Sequence, residues 1–162
     1  MTRSFIIAAA SAAVLTLSTA TFAQKAGYGT ADEAKAMLVK AVAAVKADKT
    51  KALDTFNKGE GGFLDRDLYV FCGNISDGKL VATGSSSPAA KQLLGTDART
   101  LKDANGKAFG QELYDAYQKP EGQFTEVSYM FPRPGADKTP VPKVSLATRV
   151  GPDLGCGVGY YK

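Results

Sequence analysis

DLYVFCGNISDGKLVATG, residues Asp67–Gly84, reads as a strand, a tight turn and a second strand. Tyr69, Val70 and Phe71, leading into Cys72, suit a pleated, half-buried surface. Asn74, Ser76 and the pair Asp77-Gly78 supply turn chemistry, because Gly tolerates positive φ and Asp bonds its own backbone. Leu80, Val81 and Ala82 then resume an extended run. The chain before this hairpin reads as helix able to cover it. Most of the chain after it reads as further strands of the same sheet.

On the N-terminal side, Thr30 and Glu33 form a capping box that starts a helix. Ala34, Met37, Leu38, Ala41, Val42 and Val45 recur at helical spacing as one apolar stripe, with Lys35, Lys40, Lys46 and Asp48 off it. Asp48 is placed to cap a second, shorter helix containing Ala52, Leu53 and Phe56, which the Gly59-Glu60-Gly61-Gly62 cluster ends.

On the C-terminal side, Ser87 and Pro88 suit the cap and first position of a short helical turn that Gly95 terminates. Asp103-Ala104-Asn105-Gly106 is a turn, and residues 107–118 fit a helix with Phe109, Leu113, Ala116 and Tyr117 on one face. Three strands come next, predicted over residues 124–131, 143–150 and 155–161, the first two separated by a Pro- and Gly-rich loop. Helices, hairpin, helix-bearing excursion and three-stranded meander together predict an α+β domain on an antiparallel sheet.

The 162 residues suit one domain once the leader is set aside. Arg3, an apolar run from Phe5 to Leu17 and the small residues Thr21 and Ala23 around Phe22 form the pattern of a secretory signal peptide over residues 1–23. The mature domain, residues 24–162, is then expected to be exported to the periplasm or medium. Removing Arg3 leaves 19 basic residues against 16 acidic, interspersed and not striped, so no nucleic-acid surface is expected. Two cysteines, Cys72 and Cys156, bound for an oxidising space make a disulfide the default reading, with a pair of inert buried thiols as the alternative. A chain with no histidine and no CxxC offers no metal site, and no cofactor is called for.

The leading helix, DLYVFCGNISDGKLVATG, LLGTDARTLKDANGKAFGQEL, Tyr129-Met130-Phe131-Pro132, Pro142-Lys143-Val144-Ser145 and the terminal GVGYY together resemble a single Cache domain, the extracytoplasmic sensor fold related to PAS domains. The resemblance covers residues 31–162. It implies a five-stranded antiparallel sheet of order 2-1-5-4-3 with the long helix behind it. That order sets the first strand beside the last and makes Cys72 and Cys156 neighbours. Such domains commonly form the outer part of a membrane-bound chemoreceptor or histidine kinase. No transmembrane helix or signalling domain comes after it in this sequence, so the expectation is an exported binding protein acting with a membrane sensor.

Enzymatic chemistry finds little purchase: a nucleophilic triad lacks its histidine base, and no carboxylate spacing singles out an acid–base pair. A calcium loop in register from Leu101 would place Asp103, Asn105, Gly106 and Glu112 correctly but puts leucine where the first carboxylate is required. Asn74-Ile75-Ser76 is a formal sequon, read as turn chemistry. Strand alternation is more informative, since alternate residues share a face. Tyr69 and Phe71 form one row, Val127, Tyr129 and Phe131 a second, and Lys143, Ser145, Ala147 and Arg149 a third. If all three face away from the long helix they wall an aromatic pocket with cationic ends, suited to a small organic carboxylate. The resemblance implies a ligand on that side of the sheet, with Phe109 and Tyr117 as a lid. The alternative is an interaction module that dimerises through the long helix without a ligand.

Overall fold

The computed structural model describes residues 27–162; the leader expected over residues 1–23 lies outside them. Helix α1 (Ala31–Ala47) begins at the Thr30–Glu33 capping box and lays Ala34, Met37, Leu38, Ala41 and Val45 into the core. Helix α2 (Lys49–Lys58) is capped by the Asp48 side chain, which accepts from the Lys51 N–H. It ends at Gly59, whose φ of 68° is the left-handed turn that glycine adopts without a Cβ penalty. Among the described residues no helix is long and apolar enough to cross a membrane.

The sheet has strands β1 (Leu64–Asp65), β2 (Leu68–Asn74), β3 (Leu80–Thr83), β4 (Thr125–Pro132), β5 (Pro140–Val150) and β6 (Leu154–Tyr161), all pairings antiparallel. The central order β2-β6-β5-β4 is as the resemblance implied, with the hairpin partner β3 on the outer edge of β2. The difference is the two-residue strand β1, which shares that edge. The Val70 N–H donates to the Phe63 carbonyl while the Val70 carbonyl accepts from the Gly84 N–H, so one edge of β2 serves both neighbours. Two residues are too few to show a period, and β1 is absent from the sequence reading for that reason.

The strict alternation of the strands builds two cores. Leu68, Val70, Cys72, Leu146, Val150, Leu154, Cys156 and Val158 pack against α1 and α2 on one face. Tyr69, Phe71, Val127, Tyr129 and Ala147 pack on the other against helix α4 (Phe109–Tyr117). Between β3 and α4 the chain makes the short helix α3 (Pro88–Lys91) and a 3-10 turn at Ala98–Thr100. Ser87 precedes Pro88 as expected, though its side chain makes no capping bond.

Cys72 and Cys156 are directly opposed across the β2–β6 pair and form a disulfide, Cα atoms 4.1 Å apart, both fully buried on the helix face. The bridge ties residues 84 apart in sequence. Closing so long a loop in the unfolded chain removes conformational entropy, which places the stabilisation at about 2–5 kcal/mol. The double variant Cys72→Ala/Cys156→Ala is therefore expected to lose that amount in urea unfolding, while keeping the same circular dichroism spectrum; an unchanged midpoint would contradict it.

Candidate functional site

The face of the sheet turned away from α1 closes over a cavity of about 70 Å³ beneath α3, the 3-10 turn and α4. A single water needs roughly 10–15 Å³ on this measure, so there is room for a small organic molecule's worth of groups. Six of the residues expected from strand parity and the lid helix line it: Tyr69, Phe71, Phe109, Tyr117, Tyr129 and Phe131. Phe109 stacks on Tyr129 with ring centres 4.2 Å apart, and Phe131 stands edge-on to both. The lid helix is thus held to β4 by aromatic contact.

Room on this face comes from β6, which carries glycine at three successive positions of it. A Cβ on Gly155 would fall 2.0 Å from Tyr117 Cγ, one on Gly157 2.5 Å from Phe71 Cζ, and one on Gly159 2.3 Å from Lys143 Cε. Three side chains from three different elements therefore lie flat across a strip of bare backbone. Glycine at alternate strand positions is the mark of such a close approach. It is visible in GCGVGYY, residues 155–161, which the sequence reading took as a strand and as part of the resemblance without drawing on the glycine alternation.

Lys143 is 1% exposed and does not itself line the cavity. Its ammonium donates to the Tyr69 hydroxyl at 3.0 Å and lies 4.4, 5.1 and 4.9 Å from the ring centres of Tyr69, Phe131 and Tyr161. Only phenol groups and ring faces meet it: among the described residues no carboxylate pairs with it. Burial penalises the ammonium, but the oxygens of Tyr69, Tyr129 and Tyr161 around it outweigh that and raise its pKa above the ordinary lysine value. Burial in turn pushes the Tyr117 and Tyr129 phenols up and Tyr161 up to about 12, so these remain neutral donors near pH 7.

Ser145 bonds the Tyr129 hydroxyl at 2.8 Å and so fixes that ring from behind. Arg149, although on the correct face, stands at the far end of β5. Its guanidinium is occupied by the carbonyls of Gly151 and Pro152, closing the β5–β6 turn. Parity assigns a face but not a position along it, and Arg149 does not reach the cavity. Residues not anticipated from sequence complete the lining, among them Leu80, Leu93, Arg99, Leu101 and Leu113. The Tyr117 hydroxyl makes no hydrogen bond to any described residue, and Tyr117 lines the cavity.

Asp103, considered as a calcium ligand, is instead the rivet of the lid. One carboxylate oxygen accepts from the Asn105 and Lys107 N–H groups, the other from Met130 N–H on β4. The Met130 bond, more than opposing desolvation, keeps its carboxyl below the usual aspartate value, with the Lys107 and Asn105 bonds adding to it.

Such an α+β sheet, helix-backed on one face and lidded over an aromatic cavity on the other, is the architecture of a sensor-type ligand-binding domain. The family model described as single Cache domain 2 matches residues 16–159, and the chain belongs to that family. It is similar to a methyl-accepting chemotaxis protein from Vibrio parahaemolyticus, 26% identical over 80% of this chain and 86% of that one, with a TM-score of 0.61. A periplasmic sensor domain of a chemotaxis protein is 24% identical over 80% and 88% of the two chains, TM-score 0.58. A Cache chemosensory domain whose structure was described as the basis of its carboxylic acid recognition is 22% identical over 80% and 86%, TM-score 0.57. No curated protein matches the sequence.

Two outcomes are expected. Gly155→Ala drives a methyl into the Tyr117 ring and should cost about 1–3 kcal/mol, with faster amide exchange confined to α4; uniform exchange across the sheet would contradict the assignment. Because the Asp103 pKa is lowered, its contribution is present above the unfolded aspartate value near 4 and is lost as pH falls through the folded value. Asp103→Asn should therefore lower the exchange protection of the Asn105, Lys107 and Met130 amides at pH 7, and acidification should lower the same protection factors in the parent once the slower intrinsic exchange at low pH is divided out.

Proposed function

We propose that this domain captures a small organic carboxylate in the cavity between the sheet and α4, outside the cytoplasm, and reports it to a membrane-bound sensor. The observation that carries the reading is the buried Lys143 ammonium with no carboxylate partner among the described residues. Desolvating a lysine costs several kcal/mol unless an opposite charge or a full set of hydrogen bonds offsets it. Ring faces and phenol oxygens hold the charge in place without neutralising it.

The route from charge to ligand runs through Tyr69. Its oxygen accepts from Lys143, so its own O–H is free to donate, strengthened by the cation behind it. Tyr69 lines the cavity, and a carboxylate accepting from it would sit against the charge without the lysine itself being exposed. The Tyr117 hydroxyl is a second donor. Phe71, Phe109, Leu113, Tyr129 and Phe131 would cover an apolar body. Membership of the family and the carboxylic acid recognition described for one similar domain support the reading. The domain would act by binding and not by turnover.

Lys143→Met and Tyr69→Phe test it. With acetate, propionate and butyrate as probes, the parent melting temperature should rise by several degrees at millimolar ligand, and both variants should melt cooperatively without that rise. A rise of equal size in Lys143→Met would remove the ammonium from the site.

A further inference from the structure

A second cavity, about 280 Å³, lies between residues 85–93 and the β4–β5 connection. It shares Tyr69, Ala90, Leu93 and Phe131 with the first, so those side chains form a common wall. Its remaining polar lining is Ser85, Ser87, Arg133 and Lys138, and no acidic residue borders it.

Among the described residues neither cation makes a direct ion pair, although the Asp137 carboxylate interacts with the Lys138 charge. The Arg133 guanidinium lies over the rings of Tyr28 and Tyr161, 4.3 and 5.0 Å from their centres, which fixes its plane at little entropic cost. Its Nε is buried and finds no acceptor, and an N–H left so is costly. Lys138 donates only to the Gly135 carbonyl, while the neighbouring Asp137 is used by the Thr139 N–H. Ser85 is buried, and its Oγ accepts from the Ser87 N–H, which leaves its own proton for an acceptor.

We propose that this second cavity takes a second anionic group of the same ligand, so that the preferred ligand is a short dicarboxylate spanning both cavities past Tyr69 and Phe131. The inference rests on the carboxylate reading above. Lys143 Nζ and Arg133 Cζ each lie close to 5 Å from the Tyr161 ring centre, so the two charges are no more than about 10 Å apart. That is the reach of a short diacid with one carboxylate at each end. Tyr69, common to both cavities and bonded to Lys143, marks where the first carboxylate ends and the chain turns outward.

Calorimetric titration of the intact domain with succinate and glutarate, each against the monoacid of equal carbon number (butyrate and pentanoate), tests this. Tighter binding of the diacids by at least tenfold is expected. Arg133→Gln and, separately, Lys138→Gln should erase that preference while leaving monoacid affinity within twofold. Equal affinity for mono- and diacids in the parent, or loss of both ligand types alike in Arg133→Gln, would overturn the second site and leave the carboxylate reading standing. Binding of none of the four acids would overturn both.

Discussion

A lysine ammonium sealed inside the domain, with no carboxylate partner among the described residues, is the constraint on which the rest of this structure turns. Charges of that kind are retained only where something offsets their desolvation. Around Lys143 that role falls to phenol groups and three ring faces. The strands that supply those rings are brought together by the antiparallel order β2-β6-β5, which sets Lys143 opposite Tyr161 and lays it across Gly159. Any residue larger than glycine there would displace the lysine stem. The site and the bare backbone strip are therefore one feature.

The two faces of the sheet divide the work. On the helix face, apolar alternation and the Cys72–Cys156 bridge make a dry, conventional core. On the other, the sheet is covered not by a long amphipathic helix but by short pieces riveted at separate points. Asp103 holds the Met130 N–H, Tyr114 donates to the Ile75 carbonyl, and Arg99 bonds both Asp97 and the Asp77 carbonyl. Within this cover α4 packs on the sheet through Phe109, Leu113, Ala116 and Tyr117, while α3 and the 3-10 turn are only four and three residues long.

Much of this was legible from residues alone. The capping box at Thr30, the apolar stripe of α1, the Asp48 cap and the hairpin around Asp77-Gly78 come from local chemistry, and the structure has them all. Period-two alternation gave three rows, and the condition that they share the face away from α1 holds in the structure for Tyr69, Phe71, Tyr129, Phe131, Lys143 and Ser145. The same alternation placed Arg149 there too, but could not say that the strand end carries it past the cavity. Phe109 and Tyr117 of the lid were expected, but the lining from α3 and the 3-10 turn was out of reach because those pieces are too short to show a period. Arg133 and Lys138 fell in a stretch that read only as a Pro- and Gly-rich loop. The cavity they border depends on the packing of that loop against residues 85–93, which no local pattern encodes.

The most direct measurement is a native mass spectrum of the protein purified without added ligand from an expressing cell. The expected result is a mass excess that vanishes on denaturation and corresponds to a small organic acid, with the intact bridge seen as two missing hydrogens. A bare protein whose spectrum and melting temperature are unmoved by any mono- or dicarboxylate would contradict the account, and Lys143 would then be a buried charge that the fold alone must hold.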